Sequence, residues 1–192
     1  MSSIQLRINR IAKQFANPEK VGGDETIMIR QRRINDNDKQ LVLEFHCQIN
    51  YAGESPWARK EPYDKYREKW FSTSQPDEFY AHLVTTMQDQ RTIAEIWFDD
   101  GTDAVAGYLW VVFYDIKDYG LSIAEINELM VAPEFQGRGI GLQMMQYIEK
   151  RAMEHGANLI RSEAGIENAP SRKLHEKAGF NAYRVLYEKK LD

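Results

Sequence analysis

Six residues, Gln136-Gly137-Arg138-Gly139-Ile140-Gly141, stand between an apolar stretch and one whose apolar residues recur at helical spacing. Glycines at alternate positions permit left-handed backbone and keep Cβ atoms away from an approaching group. The chain is thereby committed to a strand, a tight turn and a helix whose free N–H groups and positive dipole end face the turn. Such a turn is an anion site, with phosphate its commonest occupant. Spacing narrows the choice of phosphate. A Walker A loop ends in Gly-Lys-Ser/Thr, whereas Leu142 and Gln143 stand here, and Leu142 also occupies the place of a dinucleotide fingerprint's third glycine. Neither nucleotide motif fits.

The chain has 192 residues, enough for one domain with a sizeable core. Hydrophobic residues at 43% and charged residues at 28% place it among globular rather than disordered chains. No apolar run has the length of a membrane span, and Arg7, Arg10 and Lys13 interrupt the N-terminal apolar residues, unlike a secretory signal. A single cysteine, Cys47, excludes an internal disulfide and suits a reducing, cytoplasmic setting. It falls in a helix-like run with Leu43, Phe45 and Ile49, which reads as a packed thiol rather than a nucleophile.

A net charge of −4 argues against a nucleic-acid binder. Its distribution is uneven. Residues 91–135 carry nine acids against only Arg91 and Lys117, while residues 136–192 carry ten bases against seven acids. A phosphate-bearing ligand on one side and a cationic one on the other suit this field. Plain solvated surface charge is the alternative.

Along the chain, Ile4, Ile8, Ile11 and Phe15 predict a short amphipathic helix, so residues 1–23 read as an extension to a domain spanning 24–192. Docking on the domain or on a second copy in a homodimer suits that helix better than a membrane does. Residues 26–33 predict a strand, and a helix follows behind Asn35-Asp36-Asn37-Asp38 as caps, ending near Gly53. Residues 51–80 are dense in aromatics and broken by Pro56, Pro62 and Pro76, predicting loops and short helices. Thr92–Phe98, Ala104–Tyr114 and Leu121–Ala132 predict an antiparallel meander, with a turn at Asp99-Asp100-Gly101. A helix to His155-Gly156, a strand Leu159–Ala164, a helix Pro170–Ala178 and a last strand Phe180–Lys189 complete the order β-α-α-β-β-β-α-β-α-β.

Gln136, Gly139 and Gly141 match the coenzyme A loop pattern Gln/Arg-x-x-Gly-x-Gly/Ala. Upstream, Glu128-Leu129-Met130-Val131-Ala132-Pro133-Glu134 looks like a strand running into that loop. Downstream, Asn168, Ser171 and Leu174-His175-Glu176-Lys177-Ala178-Gly179-Phe180 look like the second block of the same pattern. Over residues 26–190 the chain resembles the GCN5-related N-acetyltransferases, the GNAT superfamily. The resemblance implies an α/β (α+β) fold: a mostly antiparallel mixed sheet of about six to seven strands flanked by helices.

It also implies acetyl-CoA as cosubstrate and no metal. Backbone groups of Gly137, Arg138, Gly139, Ile140, Gly141 and Leu142, with Gln136, would cradle the pyrophosphate. Leu129, Met130 and Val131 would offer strand groups to the pantetheine arm. Asn168 and Ser171 would assist, or would merely cap the helix that begins near Pro170. Arg138 would pair with a phosphate or stay solvated, and Arg172 and Lys173 are candidates for the adenosine phosphate.

Acetyl transfer requires a neutral amine, whereas an amine of pKa ~10 is protonated at pH 7, so a base is required. Glu128 lies where the family places that base. Glu125 is the rival, although simple alternation puts it on the opposite face unless a bulge resets the parity. An acid for the leaving thiolate is commonly a tyrosine in the family; here that position is His175, with Tyr183 and Tyr187 as alternatives. The implied reaction is direct attack by a small amine such as a polyamine, amino sugar or amino acid. Protein N-terminal or lysine acetylation is the alternative, as is a non-catalytic CoA-binding sensor. Trp57, Tyr63 and Trp70 with Glu54 and Glu61 either bind a cationic amine or serve as core.

Overall fold

The computed structural model describes residues 28–55 and 59–191. The expected helix within residues 1–23, and Trp57, lie outside them.

Strand β1 (Ile29–Arg33) leads into a capped start of the first helix. The Asn35 side chain accepts from the Asn37 N–H (3.0 Å) and the Asp38 carboxylate from the Asn35 N–H (2.9 Å), a reciprocal capping box. Helix α1 (Lys39–Gly53) follows, then α2 (Tyr63–Phe71) and α3 (Gln75–Thr86). Next come β2 (Ile93–Asp99), β3 (Val105–Ile116) and β4 (Leu121–Val131), then α4 (Ile140–Glu154), β5 (Leu159–Ser162) and α5 (Ala169–Lys177).

The strands form one sheet in sequence order, antiparallel throughout except for the parallel pair β4–β5. Alternation along the strands feeds two cores. On one face, Val42 and Phe45 of α1 and Leu83 of α3 pack on Ala94, Ile96, Tyr108 and Trp110. On the other, Ile140, Met144 and Ile148 of α4 pack on Ile93, Trp97, Leu109, Val111 and Ile126. Burying a side chain of this size contributes about 1.5–3 kcal/mol each. A third cluster, Leu43, Cys47 and Trp70, joins α1 to α2.

Two expectations need correction. The sheet has five strands among the described residues rather than six to seven. Residues 180–191, expected to hold a last strand Phe180–Lys189, have no regular secondary structure, and Tyr183, Val185, Leu186 and Tyr187 are exposed. Strand propensity there meets no ladder partner, since β5 pairs through four residues with β4 alone, and propensity without cross-strand packing does not make a strand. Phe180 still packs against the α4-side core.

Candidate active site

The donor-side residues converge where β5 leaves β4. Pairing between these strands runs from Ile123↔Leu159 to Ile126↔Ser162 and stops, whereas β4 continues to Val131 against β3 alone. Leu129, Met130 and Val131 therefore lie along a strand edge that β5 does not cover. Gln136 reaches back to it, its Nε2 donating to the Val131 carbonyl (3.0 Å). Pro133–Phe135 then turn the chain into the glycine segment.

Gly137 and Gly139 have φ of +76° and +82°, and no other atom lies within 4 Å of where a Cβ would stand on either. Gly139 is the N-cap of α4 with no side-chain cap bond, so the first N–H groups of that helix are open. Gly141 serves differently. A Cβ there would stand 3.0 Å from Leu174 and 3.6 Å from Val131, so its smallness lets α4 sit close on α5 and β4. The exposed Arg138 guanidinium lies over the Phe135 ring at 5.8 Å. Leu142, in the first turn of α4, is half-buried.

Asn168 is the N-cap of α5, its side chain accepting from the Ser171 N–H (3.2 Å), which is the capping alternative posed by the sequence. His175, one turn after Ser171, donates from Nδ1 to the Ser171 carbonyl (2.8 Å). That bond fixes its proton on Nδ1, so Nε2 accepts from the Ser162 hydroxyl (2.8 Å). Both ring nitrogens are thus engaged, Nδ1 within α5 and Nε2 in holding α5 against β5. Tyr183 and Tyr187 lie in the exposed C-terminal segment.

Glu128 lies elsewhere. Trp110 pairs with Glu128 but Val111 pairs with Ile126, so Asn127 is an extra residue in β4 and forms a bulge. Without it, Glu128 would share the α4-side face with Ile126. With it, Glu128 turns to the α1 side beneath Trp110, and Glu125, opposite Val112, shares that face. The rival carboxylate is therefore not on the opposite face, and simple alternation fails here because of the bulge.

Glu128 is 5% exposed. Its Oε1 meets Nδ1 of His46 on α1, and its Oε2 is buried without a hydrogen-bond partner. The other His46 nitrogen is bonded to Nδ2 of Asn50 at 2.9 Å. Phe79 of α3 stacks on the imidazole at 3.5 Å between centroids, and Trp70 of α2 lies at 5.5 Å. Tyr108 faces the same carboxylate from β3. Burial first, then the Glu128 charge, push its phenol well above the ordinary value. Sequence reading passed over His46. Its signal was its place on α1, beside core residue Phe45 and one turn before Asn50.

The aromatic residues suspected as a cation trap are mainly packing. Trp70 is buried with Leu43 and Cys47, and the Tyr63 hydroxyl is buried. Burial also pushes the Cys47 thiol up to about 11, which fits a packed thiol.

A family model described as "Acetyltransferase (GNAT) family" matches residues 56–180. An uncharacterized N-acetyltransferase of Methanocaldococcus jannaschii is 31% identical over 155 residues, 81% of this chain and 62% of that protein. An aminoglycoside N(6')-acetyltransferase type 1 of Acinetobacter genomosp. 13 is 26% identical over 60% of this chain and 83% of its own. Among solved structures, AAC(6')-Iy in complex with the bisubstrate analog CoA-S-monomethyl-acetylneamine superposes with a TM-score of 0.54 at 18% identity. It covers 86% of this chain and 99% of its own, a likeness in fold. The chain spans about six tenths of the length of the archaeal relative.

Proposed function

The chain belongs to the GNAT acetyltransferase family, and from that premise we propose that it transfers an acetyl group from acetyl-CoA to a small primary amine. Acetyl-CoA supplies the activated acetyl group and the thiolate leaving group. The glycine turn suits its pyrophosphate. Two left-handed glycines leave a cradle that Cβ atoms would fill, beside the uncapped N–H groups at the start of α4. The edge of Leu129–Val131 suits the amides of the pantetheine arm in the manner of strand addition. Asn168 and Ser171 stand at the start of α5, the latter close to His175, and complete the set.

Glu128 is the base. A proton leaves the acceptor's ammonium for the Glu128 carboxylate, relayed to the buried Oε2 that has no other hydrogen-bond partner, and the freed lone pair attacks the acetyl carbonyl and expels the CoA thiolate. The bonding of His175 supports a packing role over that of an acid for the thiolate. A small cationic acceptor is favoured by the second carboxylate, Glu125, on the same face, and by the acidic balance of residues 91–135. The relative named for aminoglycosides supports the same class.

The observation that carries this reading is the Asn127 bulge. It turns a carboxylate out of the α4-side core at the point where β5 leaves β4. The test is thiol release from acetyl-CoA in the presence of spermidine, glucosamine, kanamycin or a lysine-containing peptide. Release with at least one of the three small amines, above the rate without acceptor, is expected. Release with the peptide alone overturns the small-amine assignment, and release with none overturns the enzymatic one.

A further inference from the structure

Glu128 is held by one hydrogen bond, and the group that makes it, His46, is itself fixed from three sides. Asn50 bonds its Nε2 from the next turn of α1, Phe79 of α3 stacks on its face, and Trp70 of α2 meets it at a tilt. A side chain ordered this fully sets the orientation of what it binds. We propose that His46 is the positioning residue of this site. Its Nδ1–H holds Glu128 Oε1 and leaves Oε2 as the oxygen free to take the proton of the amine. The inference rests on the reading of Glu128 as the base.

The hydrogen bonds are consistent with one another. When Nε2 accepts from the Asn50 amide, the single imidazole proton is on Nδ1 and is donated to the carboxylate. This is the bonding a base needs, because the proton taken from the amine goes to Oε2 while that of His46 stays in place.

The groups that meet the ring are Glu128, Asn50, Phe79 and Trp70. Titratable neighbours further out are Tyr108 on β3 beside Glu128, Cys47 on α1, Arg67 on α2 bonded to Glu44, and His82 on α3 edge-on to Trp110. Of the groups that meet the ring, Glu128 is the one that His46 Nδ1 bonds.

The first test is the imidazole ¹⁵N spectrum of the full chain, with His46 assigned by its loss in His46→Asn. Neutral His46 is expected to carry its proton on Nδ1, and in Glu128→Ala to revert to the commoner Nε2–H form. An Nε2–H tautomer in the wild-type chain overturns the proposal, whatever the acceptor proves to be.

The second is kinetics with acetyl-CoA and kanamycin. His46→Phe keeps the stack on Phe79 but loses the donor, and kcat is expected to fall about 10- to 100-fold with the amine KM within about twofold. His46→Asn restores an N–H donor that cannot titrate. Its kcat is expected within about threefold of wild type, a rescue by the donor alone. If Glu128→Ala is inactive while His46→Phe matches wild type in rate, this proposal fails and the base assignment stands. If Glu128→Ala retains full rate, the base assignment itself fails.

Discussion

Glu125 and Glu128 lie on one face of the sheet although they are three positions apart, because Asn127 adds a residue to β4 that β3 does not match. The same extra residue keeps Ile126 in the α4-side core while Glu128, two positions on, faces α1. One inserted residue thus reconciles a buried apolar strand with a buried carboxylate.

Deleting Asn127 restores simple alternation and forces either Glu128 into the α4-side core or Ile126 out of it. A loss of kcat of about 10²–10⁴-fold is expected, with a stability loss of about 1–3 kcal/mol from a stranded polar group. Asn127→Ala keeps the residue count and is expected to stay within about threefold of wild-type rate. Steady-state kinetics and urea denaturation measure both, and an active deletion variant contradicts this account of the bulge.

The contrast shows what the sequence could carry. Strand-turn-helix around Gly137 and Gly139 was legible because left-handed glycines and helical spacing are local signals. The meander was legible because its alternation and its Asp-Gly turn are local too. The bulge at Asn127 was not, since it appears only in the pairing of β3 with β4. His46 was missed for a related reason. On α1 it reads as one more residue near a core face, and only the sheet register brings Glu128 to it. The last strand failed in the opposite sense. Phe180–Lys189 has the composition of a strand, but a strand also needs a partner, which lies outside its own residues.

Gly139 has φ of +82° and open space where a Cβ would stand, so Gly139→Ala is penalised by the backbone and not by a clash. The strain is about 1–2 kcal/mol, and the methyl group enters the cradle assigned to pyrophosphate. Acetyl-CoA is expected to bind at least about tenfold more weakly, equivalent to about 1.4 kcal/mol, in calorimetric titration. Unchanged affinity contradicts the assignment of the turn.

Cys47 is buried between α1 and α2, and burial pushes its thiol up to about 11. At pH 7 only roughly one thiol in ten thousand is ionised. A thiol reagent is expected to modify the native chain far more slowly than the urea-unfolded one, and Cys47→Ala to keep kcat within about twofold. A folded variant without activity contradicts the reading of Cys47 as a packed thiol.

Asp38 joins β1 to the start of α1, accepting from Arg32 at 2.6 and 2.7 Å and from the Asn35 N–H. Burial raises its pKa, but the Arg32 and Asn35 hydrogen bonds together outweigh burial and hold it below the ordinary value. A depressed folded value means that the contribution is complete above the unfolded value near ~4 and is lost as pH falls through the folded one. Asp38→Asn is expected to cost about 1–2 kcal/mol at pH 7, and progressively less below about pH 4, in urea denaturation.

The most direct measurement compares CoA thiol release by wild type and Glu128→Gln, with acetyl-CoA and the best of the small amines, alongside the thermal shift each protein shows with acetyl-CoA alone. The account predicts equal thermal shifts, with kcat about 10²–10⁴-fold lower in the variant. Equal rates for the two proteins would contradict it.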